Sequence, residues 1–110
     1  MQAALRAMAR RVQHIPDKHQ FTCEAQSSTS HMSTLLGFLE YSIEGDVMDI
    51  RRTYVLPDGR GNGVAKALCD EAFRFAAARN LSVQPSCAYI ATRYAKQQQQ
   101  QQERLHHAQQ

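Results

Sequence analysis

The sequence predicts an α+β (α/β) domain built on a mixed sheet, with the element order β-β-β-α-β-α. Three observations support this prediction. Residues Val47–Val55 include the β-branched and aromatic residues that are typical of a strand. Residues 64–79 repeat apolar positions with a helical period, and Leu81–Pro85 is predicted to be a short strand. A strand, a helix and a strand in this order form a right-handed crossover, so the two strands are expected to be parallel.

The first 13 residues are predicted to be a basic N-terminal extension outside the fold. They contain Arg6, Arg10 and Arg11 but no acidic residue, which accounts for the whole net charge of +3. This composition also resembles the start of an organellar transit peptide, although the segment lacks serine. The other ten of the 13 basic residues are balanced by ten acidic ones, so we expect no basic stripe that binds nucleic acid.

The cysteines and the hydropathy exclude several kinds of site. Cys23, Cys69 and Cys87 are widely separated and form no Cys-x-x-Cys pair, so neither a disulfide framework nor a metal site is expected. No apolar run approaches the roughly 18 residues that span a membrane, and we expect no membrane partner. Reduced thiols suit a cytoplasmic protein, with an organelle as the alternative if the basic N-terminus is a targeting signal. We expect a monomer.

Two strands are predicted before Val47. Residues 19–25 form the first, and the Ser/Thr-rich residues 26–33 form a loop. The second strand is predicted from its apolar positions, which are Leu35, Leu39, Tyr41 and Ile43. Residues 44–46 supply a turn, so the second strand and Val47–Val55 should form an antiparallel hairpin.

The helix over residues 64–79 is expected to bury one apolar stripe. Its members are Val64, Ala65, Leu68, Cys69, Ala72, Phe75 and Ala76. Pro85 should end the following strand, and Ser86 is the predicted N-cap of a last helix over residues 87–96. Residues 97–110 begin with six glutamines and are predicted to be a low-complexity tail, which leaves residues 14–96 as the folded domain.

A hexapeptide with two glycines, Arg60-Gly61-Asn62-Gly63-Val64-Ala65, joins the long strand to the helix. Glycines let a backbone approach a ligand closely, and the first N–H groups of a helix can point at an anion. The hexapeptide therefore predicts a phosphate or pyrophosphate site, although a tight turn alone would also use glycines. A dinucleotide fold and a P-loop are disfavoured, because the full Gly-x-Gly-x-x-Gly and Gly-Lys-Ser/Thr motifs are missing.

An ordered series of residues resembles the Gcn5-related N-acetyltransferases (GNAT), in particular the small single-domain, minimal YjdJ-type branch. The series runs from Tyr41 through Arg52-Thr53-Tyr54-Val55 and the hexapeptide to Pro85-Ser86-Cys87. The cofactor signature of that superfamily appears here as Arg60-x-x-Gly63-x-Ala65. The resemblance covers residues 14–96 and implies a GNAT-like sheet, in which the parallel strands splay apart at the cofactor site.

The resemblance also implies acetyl-coenzyme A as cofactor and an amine as acetyl acceptor. The strand edge would hold the pantetheine arm, and the N–H of Val55 or Leu56 would polarise the thioester carbonyl. The cofactor-binding residues implied are Tyr54, Val55, Leu56, Arg60, Gly61, Asn62, Gly63, Val64 and Ala65.

Cys87 is the candidate catalytic residue, because the resemblance implies either a covalent acetyl-cysteine or a cysteine that only lines the pocket while the amine attacks directly. Arg52 stands where the small branch typically has a histidine, and an arginine cannot act as a base. The sequence therefore leaves two functions open. The first is an N-acetyltransferase acting on a small amine or a protein lysine. The alternative is a coenzyme A-binding interaction module with little or no catalysis.

Overall fold

Five strands form one mixed sheet, and a helix packs on one of its faces. The computed structural model describes residues 9–26, 32–92 and 95–96. The strands are β1 (Ala9–Ile15), β2 (Gln20–Gln26), β3 (Ser33–Glu44), β4 (Val47–Val55) and β5 (Ser82–Pro85), and the helix is α1 (Val64–Ala78). Two 3-10 turns, Pro16–Lys18 and Pro57–Gly59, connect elements, and residues 88–92 and 95–96 are helical.

The strands lie side by side in the order β1-β2-β3-β4-β5. The first three pairings are antiparallel, whereas β4 and β5 are parallel across the crossover through α1. The predicted fold class, the β3–β4 hairpin and the parallel pair are confirmed. The predicted loop over residues 26–33 falls mainly on residues 27–31, which lie outside the described part of the chain, as does the glutamine tail.

The prediction that residues 1–13 lie outside the fold is wrong from Ala9 onward, because β1 adds a fourth antiparallel strand before α1. Val12 packs against the core, and alternate residues such as Gln13 are exposed. This alternation is the period of a strand, but the arginine-rich composition conceals it. The domain boundary at residue 14 therefore cuts through β1, and the element order is β-β-β-β-α-β followed by the helical residues 88–92.

The side chain of His14 in β1 contacts residues of β2 and β3. Its ring stacks on Phe21, with 4.2 Å between ring centroids, and its Nε2 lies 2.5 Å from the Tyr41 hydroxyl. Burial, and secondarily the nearby charge of Arg79, lower the pKa of His14, whereas burial raises the pKa of Tyr41. The hydroxyl therefore stays protonated at neutral pH and can donate a hydrogen bond to a neutral imidazole.

The core lies between α1 and the inner faces of the central strands, and α1 buries most of its predicted stripe. Phe73 is buried although it was not predicted, and Phe75 is half-buried against the aromatic rings of His14 and Tyr41. In β3, Leu39 and Tyr41 are buried as expected, but Leu35 and Ile43 are exposed because they lie near the two ends of the strand.

A bulge in β4 separates its two halves. Tyr41 pairs with Ile50 and Glu40 pairs with Arg52, so Arg51 has no partner in β3. Such an extra residue bends and twists the strand that carries it. The pairing of β4 with β5 stops at Ile50 and Pro85. Residues 52–55 of β4 consequently have no β5 partner, and we call the opening beside them the gap.

Gly37 of β3 allows the start of α1 to sit close to the sheet. A Cβ atom on Gly37 would lie 2.8 Å from the Tyr54 carbonyl oxygen and 2.9 Å from Cγ1 of Val64. Both distances are shorter than ordinary contacts, so any side chain here would push the helix start away from β4.

We predict that Gly37→Ala lowers the free energy of unfolding by about 1–3 kcal/mol, because the methyl group overpacks this contact. The measurement is equilibrium unfolding in urea. Gly45→Asn is the control: nothing lies within 4 Å of a Cβ at Gly45, and asparagine tolerates its positive φ. Equal losses from the two substitutions would contradict the packing role of Gly37.

Candidate functional site

Cys87 lies where the parallel pairing of β4 and β5 ends. Its backbone N–H donates to the carbonyl oxygen of Ile50 at 3.1 Å, which holds the residue beside β4. The backbone N–H of Thr53, in the unpaired half of β4, donates to the Cys87 sulfur. The structure therefore brings Cys87 to the gap, against the strand edge that the resemblance assigns to the cofactor.

Cys87 also occupies the N-cap position of the helical residues 88–92. Its carbonyl oxygen accepts the N–H of Ala91 at 2.9 Å, and its sulfur accepts the N–H groups of Tyr89 and Ile90. An N-cap side chain normally accepts these bonds through oxygen. The predicted N-cap, Ser86, is thus wrong by one residue, and its hydroxyl instead donates to Asp49 at 2.7 Å.

These contacts favour the thiolate form of Cys87. Burial raises the pKa of this thiol, but the hydrogen bonds from Ile90, Tyr89 and Thr53 outweigh burial, so the pKa is lowered overall. The Thr53 hydroxyl contributes to this lowering, yet its oxygen is buried and makes no bond of ordinary hydrogen-bond geometry. By contrast, burial raises the pKa of Cys23. Cys87 is the more reactive thiol of the two.

The glycine loop, residues 60–65, leads from the end of β4 to the start of α1. Gly61 and Gly63 have φ angles of 81° and 72°, which glycine adopts without strain. Gly63 is the N-cap, no side chain caps the helix, and the first turn contains no acidic residue. The first helical hydrogen bond joins Ala67 N–H to Gly63, so the N–H groups of residues 64–66 have no backbone acceptor within the described chain. An anion can fill this role.

Three backbone N–H groups that were expected to bind ligand are already bonded. Arg60 N–H donates to Pro57 at 3.3 Å, Asn62 N–H donates to Gly59 at 3.4 Å, and Leu56 N–H donates to Leu36 at 2.9 Å. Leu56 therefore cannot polarise a thioester carbonyl, because its N–H points toward β3. Residues two apart in a strand point their N–H groups to the same edge. Since Thr53 N–H faces the gap, Val55 N–H faces it as well.

Sequence reasoning missed Arg10, which lies beside the glycine loop. Its Nη1 atom is 3.4 Å from the position that a Cβ on Gly63 would take. The alternation of Val12 and His14 toward the core could have revealed that β1 turns Arg10 to the same face as α1. Its guanidinium adds a positive charge where the helix N–H groups are free.

Tyr54 and Arg52 lie on the face of β4 away from α1, since Thr53 and Val55 occupy the other face. Tyr54 is 40% exposed, and the Arg52 guanidinium lies over both the Tyr54 and Phe38 rings. Within the described residues, no cluster of three or more metal-ligating side chains occurs, and no helix is both long and apolar enough to cross a membrane.

The glycine-capped start of α1 has free N–H groups that can bind an anion. It lies next to the edge of β4, which is left open where the pairing of β4 with β5 ends. A helix start of this kind can bind an anion, and an open strand edge can bind an extended chain. A family model described as GCN5-related N-acetyl-transferase matches residues 24–104, about three quarters of the chain. The chain therefore belongs to the GCN5-related N-acetyltransferase family, and the matched part contains both Gly63 and Cys87.

We predict that Thr53→Val raises the pKa of Cys87, because the variant loses the hydroxyl but keeps the backbone N–H. Alkylation of Cys87 by iodoacetamide, followed by peptide mass spectrometry across pH, measures this value. Thr22→Val is a matched control, since its hydroxyl is also buried without a partner but lies on β2. A midpoint that is the same in Thr53→Val and wild type would show that the hydroxyl does not act on the sulfur.

Proposed function

We propose that the protein is an acetyl-CoA-dependent N-acetyltransferase that transfers acetyl to an amine, either a small molecule or a protein lysine. The observation that carries the proposal is the position of Cys87. Its thiol has a lowered pKa and lies at the gap, and β4 leads from the gap into a helix start with free N–H groups. Family membership supports acetyl transfer. Within this proposal the chain belongs to the small single-domain branch and acts in the cytoplasm.

The loop and the strand edge have the chemistry that coenzyme A requires. The free N–H groups of Val64 and Ala65, with the positive charge of Arg10 beside them, suit a pyrophosphate. The open edge of β4 at Val55 suits the amides of the pantetheine arm. The proposed cofactor-binding set is Tyr54, Val55, Leu56, Arg60, Gly61, Asn62, Gly63, Val64 and Ala65, with Arg10 added. Three of these residues, Leu56, Arg60 and Asn62, can contribute only through carbonyl or side-chain atoms, because their N–H groups are already bonded.

The bound coenzyme supplies an activated acetyl thioester. Cys87 would act as the nucleophile: its sulfur would take the acetyl group from the thioester, and the coenzyme would leave as a thiol protonated from water. Val55 N–H is the strand donor left for the carbonyl oxygen. An amine next attacks the acetyl carbon on Cys87, loses a proton to water, and leaves Cys87 as a thiolate again.

A second candidate is a coenzyme A-binding module with little or no catalysis, in which Cys87 only contacts the ligand. Arg52 is the observation that favours it. The guanidinium stays protonated and cannot remove a proton from the amine. Both functions share the same cofactor site, so they differ in whether an acetyl group leaves the coenzyme.

Incubation with acetyl-CoA, followed by intact-protein mass spectrometry, tests the proposal. We expect one added acetyl group on the wild type, none on Cys87→Ser, and one on Cys69→Ser, because Cys69 is buried on the inner face of α1. The added group should disappear when an amine acceptor is supplied.

Melting temperature distinguishes the two candidates. A rise with acetyl-CoA but no acetyl adduct and no acetylated amine would support the binding module. No rise and no adduct would contradict both candidates.

A further inference from the structure

Arg52 is held in place by two aromatic rings. Its guanidinium carbon lies 5.4 Å from the centroid of Phe38 and 5.8 Å from that of Tyr54, and the two rings are 5.7 Å apart. The pairing of Phe38 with Tyr54 across β3 and β4 puts both rings on the same face of the sheet as Arg52. Stacking on rings occupies the flat face of a guanidinium and leaves its N–H groups free around the edge.

No ion pair occupies those N–H groups within the described part of the chain. The ion pairs found there are Lys66–Asp70 and Arg74–Glu71, both on α1. Glu40 is the carboxylate best placed to pair with Arg52, because the two residues are direct partners in the β3–β4 register. Its oxygen atoms nevertheless do not come within 4.0 Å of the guanidinium nitrogens. Arg52 is therefore a cation that contacts two aromatic rings, is exposed to solvent, and has no ion-pair partner among the described residues.

A concave surface at the end of the β1–β2 turn is lined by Glu40 and Arg51, the cross-strand partner and the chain neighbour of Arg52. Its volume is about 470 Å³, and its charged lining consists of Lys18, Arg51 and Glu40. The other residues that line it are His19, Gln20, Tyr41 and Ser42. Together with Arg52, the surface has three permanent positive charges against one carboxylate, so it attracts an anionic group.

Arg52 is adjacent in sequence to a residue of the gap. Arg52 directly precedes Thr53, whose N–H bonds the Cys87 sulfur. Successive side chains of a strand point to opposite faces, so Arg52 borders the gap on the face away from α1. Because the guanidinium leans over Phe38 of β3, a molecule bound there through one end has to cross β4 to bring its other end to the gap.

We propose that Arg52 and the adjoining concave surface bind an acidic group of the acetyl acceptor, so that the acceptor is an amine that also carries a carboxylate or phosphate. This inference rests on the proposed function. Two N–H groups on the edge of the guanidinium donate to two oxygens of such a group. The amine of the same molecule then faces Cys87. A simple amine, which is a cation in water, is repelled by the same charges.

Paired probes of similar length test this specificity without relying on turnover. The probes are 4-aminobutanoate and butylamine, and 2-aminoethyl phosphate and ethylamine, each titrated into the coenzyme A-saturated protein while the Arg Nε–H signals are followed by NMR. We expect each acidic amine to bind about tenfold more tightly than its partner without the acidic group and to shift the Arg52 signal. The carboxylate and phosphate pairs show which acid is preferred.

Three variants make the test decisive. Arg52→Gln should abolish the preference for acidic probes, Arg52→Lys should keep part of it, and Arg74→Gln should leave it intact because Arg74 lies on α1. Equal binding by the wild type of the probes with and without the acidic group would overturn the proposal. A loss of coenzyme A affinity in Arg52→Gln would also overturn it, because Arg52 would then bind the cofactor's phosphates. Acidic preference without any acetyl transfer would leave this site standing and count against the proposed function alone.

Discussion

The whole site depends on where the pairing of β4 with β5 stops. Two residues end it. Arg51 is an extra residue in β4 that bends the strand, and Pro85 has no N–H with which to continue the ladder. The next available donor is the N–H of Cys87, which donates to the carbonyl oxygen of Ile50. The same two local features therefore open an edge of β4 to a ligand and place a cysteine beside that edge.

The opening also explains the chemistry of the cysteine. In an intact parallel ladder the N–H of Thr53 would donate to a carbonyl oxygen of the neighbouring strand. Here it donates to the sulfur of Cys87 instead. The N–H groups of Tyr89 and Ile90 reach the same atom because the chain turns into a helix directly after Cys87. Backbone donors thus oppose the effect of burial, and no basic side chain is required to favour the thiolate.

The sequence predicted the parts whose signals are local, including the crossover, the hairpin and the glycine-capped helix start. It misjudged β1, since three arginines in 13 residues conceal a two-residue alternation. It also could not show which N–H groups are free. The amides of Leu56, Arg60 and Asn62 look as available as that of Val64 in the sequence, yet they are used by Leu36 and by the 3-10 turn. Likewise, the stacking of Arg52 on Phe38 depends on a pairing between strands that only the fold reveals.

We infer that the start of α1 binds the phosphates of the coenzyme through its main chain. The most direct measurement is a titration of the isotope-labelled protein with coenzyme A, in which backbone amide signals are followed by NMR. The account predicts the largest shifts at Val64, Ala65 and Lys66, with further shifts along residues 52–55 and none at the Gly45 turn. Signals of residues 64–66 that stay unchanged while the coenzyme binds elsewhere would contradict it.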